Sequence, residues 1–201
     1  MYTRTRTKRE MGKLPMILMV FSVVIAILPV AQGIAEDPEA VEAWFEKLGQ
    51  AKENVTKLHF YFHDIVTGKN PTAIQVAQSN LTAKSPTLFG LVRMFDNILT
   101  EGPEPTSQTV GRAQGFYGSA GLEELSMLMT MNLVFTQGNY NGSTLSFLAR
   151  NPALNPHREM PVVGGSGVFR LARGIATATT YSMDFTTGNA IVEYNVMVMH
   201  Y

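Results

Sequence analysis

Cysteine is absent from the 201-residue chain. No disulfide, thiolate zinc site or cysteine nucleophile can therefore be built from it. Histidine is scarce, with four residues, which leaves little material for a transition-metal cage. Charge is thin as well. Asp, Glu, Lys and Arg make up 16% of the chain, against roughly 25% in ordinary soluble domains. Basic and acidic residues balance at 16 each, which argues against a nucleic-acid binder that works by phosphate neutralisation. Hydrophobic residues, in contrast, reach 45%. That is too many for a disordered chain and enough for one domain with a substantial core.

The charge balance is a sum of two unlike parts. Arg4, Arg6, Lys8, Arg9 and Lys13 face a single acid, Glu10, and Leu14 to Ala31 carries no charge at all. A basic start, an apolar run and the small residues Ala31, Gly33 and Ala35 read as a secretory signal peptide over residues 1–35. The apolar run approaches the about 18 residues of a membrane span, but Pro15, Pro29 and the small-residue exit favour cleavage. Met11 is an alternative start, since the chain from there still makes an ordinary signal. After removal of residues 1–35 the chain keeps 11 basic and 15 acidic residues, net −4. It is expected outside the cell, free of the membrane. Three acceptor sequons follow, at Asn54, Asn80 and Asn141, whereas Pro71 blocks the one at Asn70. Glycosylation is expected at these sites.

Residues 36–54 read as a helix and linker. Asp37 suits an N-cap, Pro38 the first turn, and Glu39 the helix dipole. Val41, Trp44, Phe45 and Leu48 form one apolar stripe at helical spacing, expected to pack on the main domain. Residues 55–201 switch to short β-prone segments between turn clusters: Lys57–Val66, Ala73–Ala77, Val110–Tyr117, Thr144–Leu148, Met160–Val163, Gly167–Ala178 and Ala190–Val198. Leu88–Leu99 is a further apolar segment. Glu123–Thr136 has helical propensity on its left and strand character on its right. Many short strands with regular turns predict an all-β sandwich or barrel.

Strand alternation puts Leu58, Phe60, Phe62 and Asp64 on one face and His59, Tyr61, His63 and Ile65 on the other. Inside a barrel, Asp64 would be a carboxylate among aromatics, with a raised pKa suited to proton transfer. A strand-end aspartate bonding turn amides is an equally good reading. His59 and His63 lie too far apart on a strand to share a metal, and are expected at solvent or at an interface. Ala113, Gly115 and Tyr117 share a face, which gives either a hollow with a phenol at its wall or tight strand packing around glycine. Val163-Gly164-Gly165-Ser166-Gly167 lacks the Lys-Ser/Thr ending of a phosphate loop and reads as a bulge or tight turn. No metal site and no hydrolase triad are evident.

Phe60–Ile65 (FYFHDI), Val110–Tyr117 (VGRAQGFY), Arg158–Ala176 (REMPVVGGSGVFRLARGIA) and the strand around Val192–Val196 occur in one order. Together they resemble the plant dirigent family from about Thr56 to the C-terminus. The resemblance implies an eight-stranded antiparallel β-barrel with one open pocket per subunit, assembled as a homotrimer in the apoplast or cell wall. It implies phenolic ligands, no cofactor, and dependence on a laccase or peroxidase. The oxidase makes phenoxy radicals, and the pocket orients two of them for stereoselective coupling of the lignan type. On that reading the chain is a guide rather than an enzyme. A related branch, the pterocarpan synthases, removes water from an isoflavanol through a quinone-methide-like intermediate. A third reading is a cell-wall defence protein that binds phenolics.

Matched by position, Asp64 is the implied proton acceptor or phenol anchor and Tyr117 a hydrogen-bond donor. Arg158 is the implied anchor for a phenolate or quinone-methide oxygen. Phe60 and Phe62 are expected to contact substrate. Asn151 stands where lignan-forming members carry a second aspartate, in Ala149-Arg150-Asn151-Pro152. It is expected to contact substrate without acting as a base, which moves the chain toward the pterocarpan-synthase branch. The cysteine pair of lignan-forming members is also missing, so the N-terminal helix is not stapled to the barrel.

Overall fold

The computed structural model describes residues 37–201; the expected signal peptide lies outside them. Helix α1 spans Pro38–Glu46, with the Asp37 carboxylate accepting from the Ala40 amide at 2.8 Å and Pro38 in the first turn. It ends at Glu46, and Leu48–Gln50 forms a separate 3₁₀ turn. No residue of α1 is buried, and Phe45 is 58% exposed. Trp44 alone of its stripe is half-buried within the helix, with the Arg170 guanidinium 5.2 Å from its ring centroid. The stripe is therefore not buried as a core face; among the described residues the helix meets the barrel side through Trp44 and Arg170.

Nine strands follow: β1 (Asn54–Asp64), β2 (Ala73–Ala77), β3 (Val92–Thr100), β4 (Thr109–Ser119), β5 (Ser126–Phe135), β6 (Thr144–Pro152), β7 (Arg158–Ser166), β8 (Arg173–Met183) and β9 (Ala190–His200). They form one antiparallel sheet in the order β1-β9-β8-β7-β6-β5-β4-β3-β2. Pairing of β1 with β3 through Tyr61–Thr100 and Phe62–Leu99 closes eight strands into a barrel. The short β2 is an extra strand laid along the first half of β3. β1 pairs with β9 over its whole length, from Asn54–His200 to Asp64–Ala190.

The segment Glu123–Thr136 contains no helix. Its Met and Leu residues favour helix locally, but β5 pairs on both sides, with β4 and β6. Met129, Met131, Leu133 and Phe135 then alternate into the core. Sheet pairing and burial outweigh propensity here. Gly167–Phe169 is likewise a 3₁₀ turn, and β8 begins only at Arg173. The glycine-rich segment ending β7 contains a bulge, where the register with β6 slips between Ser146–Gly164 and Phe147–Val162.

Gly115 serves close strand packing rather than a hollow. A Cβ at this position would lie 2.1 Å from the Thr130 carbonyl oxygen and 2.7 Å from the Met131 Cα, both backbone atoms of β5. Gly115→Ala is expected to cost about 1–3 kcal/mol by overpacking, read as a lower midpoint in urea unfolding.

One end of the barrel is filled by aromatic and aliphatic side chains. Phe60, Phe135, Phe147, Leu133 and Met160 are each no more than 1% exposed. The other end is left hollow. The sequon asparagines Asn54, Asn80 and Asn141 are all exposed.

Candidate active site

The hollow end holds a cavity of about 250 Å³. It lies where β1, β4, β6 and β8 finish and where β3, β5, β7 and β9 begin. Its walls are largely apolar, with Phe62, Leu91, Met127, Met129 and Val192 among them. Polar groups reach in from separate strands: Asp64, Arg93, Tyr117, Asn151, Arg158 and Thr180. Such a mix of apolar wall and few placed polar groups is typical of a small-molecule site.

Asp64 is the last residue of β1, so alternation turns its carboxylate inward beyond Phe62. Tyr117 donates its hydroxyl hydrogen to Asp64 Oδ2 at 3.0 Å, and Asn97 Nδ2 donates to Asp64 Oδ1 at 3.1 Å. Asn97 is itself held by Thr72, whose hydroxyl donates to its Oδ1 at 2.5 Å. Thr72 sits where the chain folds back against β1, its amide donating to the Ile65 carbonyl at 2.8 Å. Asp64 is thus a site carboxylate with two side-chain donors, and not the turn-capping aspartate of the alternative reading.

Burial pushes the Asp64 carboxyl above the ordinary range, against the pull of its two hydrogen bonds and of the Arg93 charge. Burial, and then the Asp64 charge, push the Tyr117 hydroxyl well upward. Tyr117 therefore stays protonated and acts as a donor at any physiological pH.

Arg158, the first residue of β7, is 4% exposed. Its Nη1 donates to the Ala153 carbonyl and to the Thr180 hydroxyl, each at 2.7 Å, while Nε has no partner. Burial holds its pKa below the usual guanidinium value. Asn151 is buried in the wall of the cavity. Its Nδ2 reaches only the Met129 sulfur at 3.6 Å, and its Oδ1 is unpartnered. A buried orphan oxygen beside an open cavity suits a ligand hydroxyl.

The expected site residues therefore converge, with one exception. Asp64, Tyr117, Arg158, Asn151 and Phe62 line the cavity. Phe60 does not; two residues earlier on β1, it lies deeper and stacks on Tyr194, with ring centroids 5.6 Å apart. Tyr194 forms the floor between them, fully buried. His63 departs from expectation too. It points out of the barrel, as alternation requires, yet is 1% exposed. Its Nε2 bonds the Thr100 hydroxyl at 2.7 Å, and Thr100 in turn donates to the Gly102 carbonyl in the β3–β4 connection. Among the described residues, no three His, Asp or Glu side chains come together as a metal site.

Arg93 and Asn97 escaped the sequence reading. Both lie on β3, in the segment read there as one apolar block. Alternation from Leu99 backward through Asn97, Phe95 and Arg93 places all four on the inner face. That signal was available in the sequence.

Comparison with known proteins bears on this arrangement. Residues 55–199 match the family model of dirigent-like proteins. The chain is 52% identical to Dirigent protein 23 of Arabidopsis thaliana, over 88% of this chain and 92% of that one. It is 53% identical to Pterocarpan synthase 1 of Glycyrrhiza echinata, over 77% of this chain and 82% of that one. A solved structure of a pterocarpan synthase dirigent protein superposes with a TM-score of 0.71 at 52% identity, covering 75% of this chain and 87% of that one. With a family model matched over residues 55–199 and a barrel that superposes on a solved relative of 52% identity, the chain belongs to the dirigent family.

Proposed function

We propose that this protein removes water from an isoflavanol and closes a new ring, as a pterocarpan-synthase-like dehydratase. The observation that carries this reading is the Asp64–Tyr117 pair, hydrogen-bonded at 3.0 Å in a largely apolar cavity that Arg158 also lines. A phenolic proton passes to Asp64. The carbon–oxygen bond to the alcohol breaks, and the hydroxyl leaves as water with the proton that Asp64 hands back. The resulting quinone methide is neutral, and Arg158 stabilises its oxygen as electron density moves there. A second phenol then adds to the electrophilic carbon, and its proton passes to the former quinone-methide oxygen, which becomes a phenol again. One water is lost, and no electrons enter or leave. Asn151, with its free Oδ1, accepts a hydrogen bond from the substrate and does not act as a base.

A second reading, a guide for coupling phenoxy radicals made by a laccase or peroxidase, draws on a different observation. Met127, Met129 and Met183 line the cavity, and methionine walls adapt to rings in more than one orientation. Incubation of the protein with a racemic isoflavanol, without oxidant, is expected to give one enantiomer of the cyclised product on a chiral column. A product that appears only with coniferyl alcohol and laccase, as an enantiomeric excess, would instead establish the guide.

On either reading the protein acts as a secreted homotrimer in the apoplast, glycosylated at Asn54, Asn80 and Asn141. The exposure of all three asparagines supports the last point.

A further inference from the structure

The pairing of β1 with β3 ends at Phe62–Leu99. Continued in the same antiparallel register, it would set Asp64 opposite Asn97. Side chains span that gap instead. Asn97 is 0% exposed and Thr72 half-buried, and neither lines the cavity. The hydrogen bonds through them run in one direction. The Ile65 amide donates to the Thr72 hydroxyl oxygen at 3.4 Å, the Thr72 hydroxyl donates to Asn97 Oδ1, and Asn97 Nδ2 donates to Asp64 Oδ1. Thr72 is fixed by its backbone as well: its amide bonds the Ile65 carbonyl, and its carbonyl accepts from the Asp96 amide at 2.9 Å. An asparagine side chain can present a donor or an acceptor. With Nδ2 toward Asp64 it favours the carboxylate. With Oδ1 there it would repel the charge and favour the protonated acid. The turned amide would also aim Nδ2 at Thr72, whose own hydroxyl hydrogen would lose its acceptor. That hydrogen therefore selects the arrangement that favours the carboxylate.

We propose that Thr72 and Asn97 are positioning residues that hold Asp64 in its charged, proton-accepting form from behind the cavity wall, with Thr72 setting which end of the Asn97 amide Asp64 meets. This deepens the proposed function, since it rests on Asp64 being the proton acceptor of the dehydration. Burial strips water from the carboxylate, and the two side chains return part of that solvation from the protein. Other titratable groups face Asp64 from separate strands: Arg93 on β3, Tyr117 on β4 and Tyr194 on β9, with Arg158 on β7 across the cavity. Burial keeps both phenols protonated. Arg93 hydrogen-bonds Tyr117, and its charge favours the Asp64 carboxylate. His63, the neighbour on β1, turns outward. None of these groups is hydrogen-bonded to Thr72, so the loss of its hydroxyl reaches Asp64 through Asn97.

The chain has only four aspartates, Asp37, Asp64, Asp96 and Asp184, so carboxyl-carbon NMR of the isotope-labelled protein resolves each, with Asp64 assigned by its loss in Asp64→Asn. Thr72→Val keeps the shape of the side chain and removes its hydroxyl. Asp64 is expected to titrate at higher pH in this variant than in the wild type, while Thr72→Ser restores the wild-type curve. Asn97→Leu, which removes the amide itself, should move the curve further the same way. Turnover of an isoflavanol should fall about fivefold in Thr72→Val at the acid end of the pH profile, and about tenfold or more in Asn97→Leu, as for loss of a neutral hydrogen bond and of one to a charged group. On the alkaline plateau both should approach the wild-type rate. An unchanged Asp64 titration in whichever of the two variants folds would overturn the proposal and leave Thr72 and Asn97 as fasteners of the seam. An equal loss of turnover at every pH would overturn it too. If the Asp64 titration moves as expected but the wild type consumes no isoflavanol, the hold on Asp64 stands and the dehydratase reading falls.

Discussion

Asp64→Asn is expected to lower turnover of an isoflavanol by about 10²–10⁴-fold, the usual range for a lost general base, while the barrel stays folded. The amide is nearly isosteric, and its oxygen can still accept from Asn97 or Tyr117. It cannot take a proton. The same change is expected to raise the melting temperature at neutral pH. The folded protein binds the Asp64 proton more tightly than the unfolded chain does, because burial raises that carboxyl. Between the ordinary carboxylate value and the raised one, the folded state therefore holds more protons, and stability falls as pH rises. Above the raised value the penalty is constant. The variant escapes it, so the two melting curves should separate at neutral pH and converge in acid. Activity should run the other way. It should rise with pH as Asp64 ionises, on a limb displaced above the ordinary carboxylate range. A variant with wild-type turnover would remove Asp64 from the mechanism.

Tyr194→Ala is expected to cost about 3–5 kcal/mol of stability, as deletion of a buried aromatic ring does. Tyr194 is 1% exposed, stacks on Phe60 at 5.6 Å and lies 5.8 Å from the Phe62 ring. Its removal takes away the floor of the cavity and opens a void into the filled end. Tyr194→Phe keeps the ring and isolates the hydroxyl, whose recorded partner is the Met160 sulfur at 3.7 Å. A thioether is a weak acceptor, so this change should cost less than about 1 kcal/mol. Chemical denaturation of both variants measures the difference. A large loss in Tyr194→Phe would show that the hydroxyl carries more than the geometry assigns it.

Much of this site could be read from residue order because a strand has period two. The inward set Phe60, Phe62, Asp64 follows from alternation alone, and Tyr117 follows in the same way on β4. The barrel closure did not follow, since a two-residue contact between β1 and β3 leaves no periodic trace. Nor did the fate of Phe60, because depth along a barrel axis depends on strand tilt and not on which face a residue takes. His63 shows a related limit. Alternation correctly turns it outward, but the cover provided by the β3–β4 connection comes from a loop whose path no pattern encodes. The carboxylate network is hidden for a similar reason. Asn97 comes from β3 and meets Asp64 only where β1 closes on β3, and Thr72 joins the network through Asn97 where the chain folds back after β1. The miss at Glu123–Thr136 is of another kind: helix propensity is a local preference, and β5 answers to two neighbouring strands.

The complete pairing of β1 with β9 has a consequence for how the protein is made. From β2 to β9 the chain is a meander, and each strand pairs with the one just synthesised. β1 is the exception. It leaves the ribosome first among the strands, yet its full-length partner is the last of the nine to emerge. Until then Asp64 has no β9 edge to hold it, and the aromatic face of β1 has no finished barrel to enter. The Asp64 carboxylate is therefore put in place by the final step of closure, so a nascent chain completes the wall of its cavity only once the ring of strands is closed.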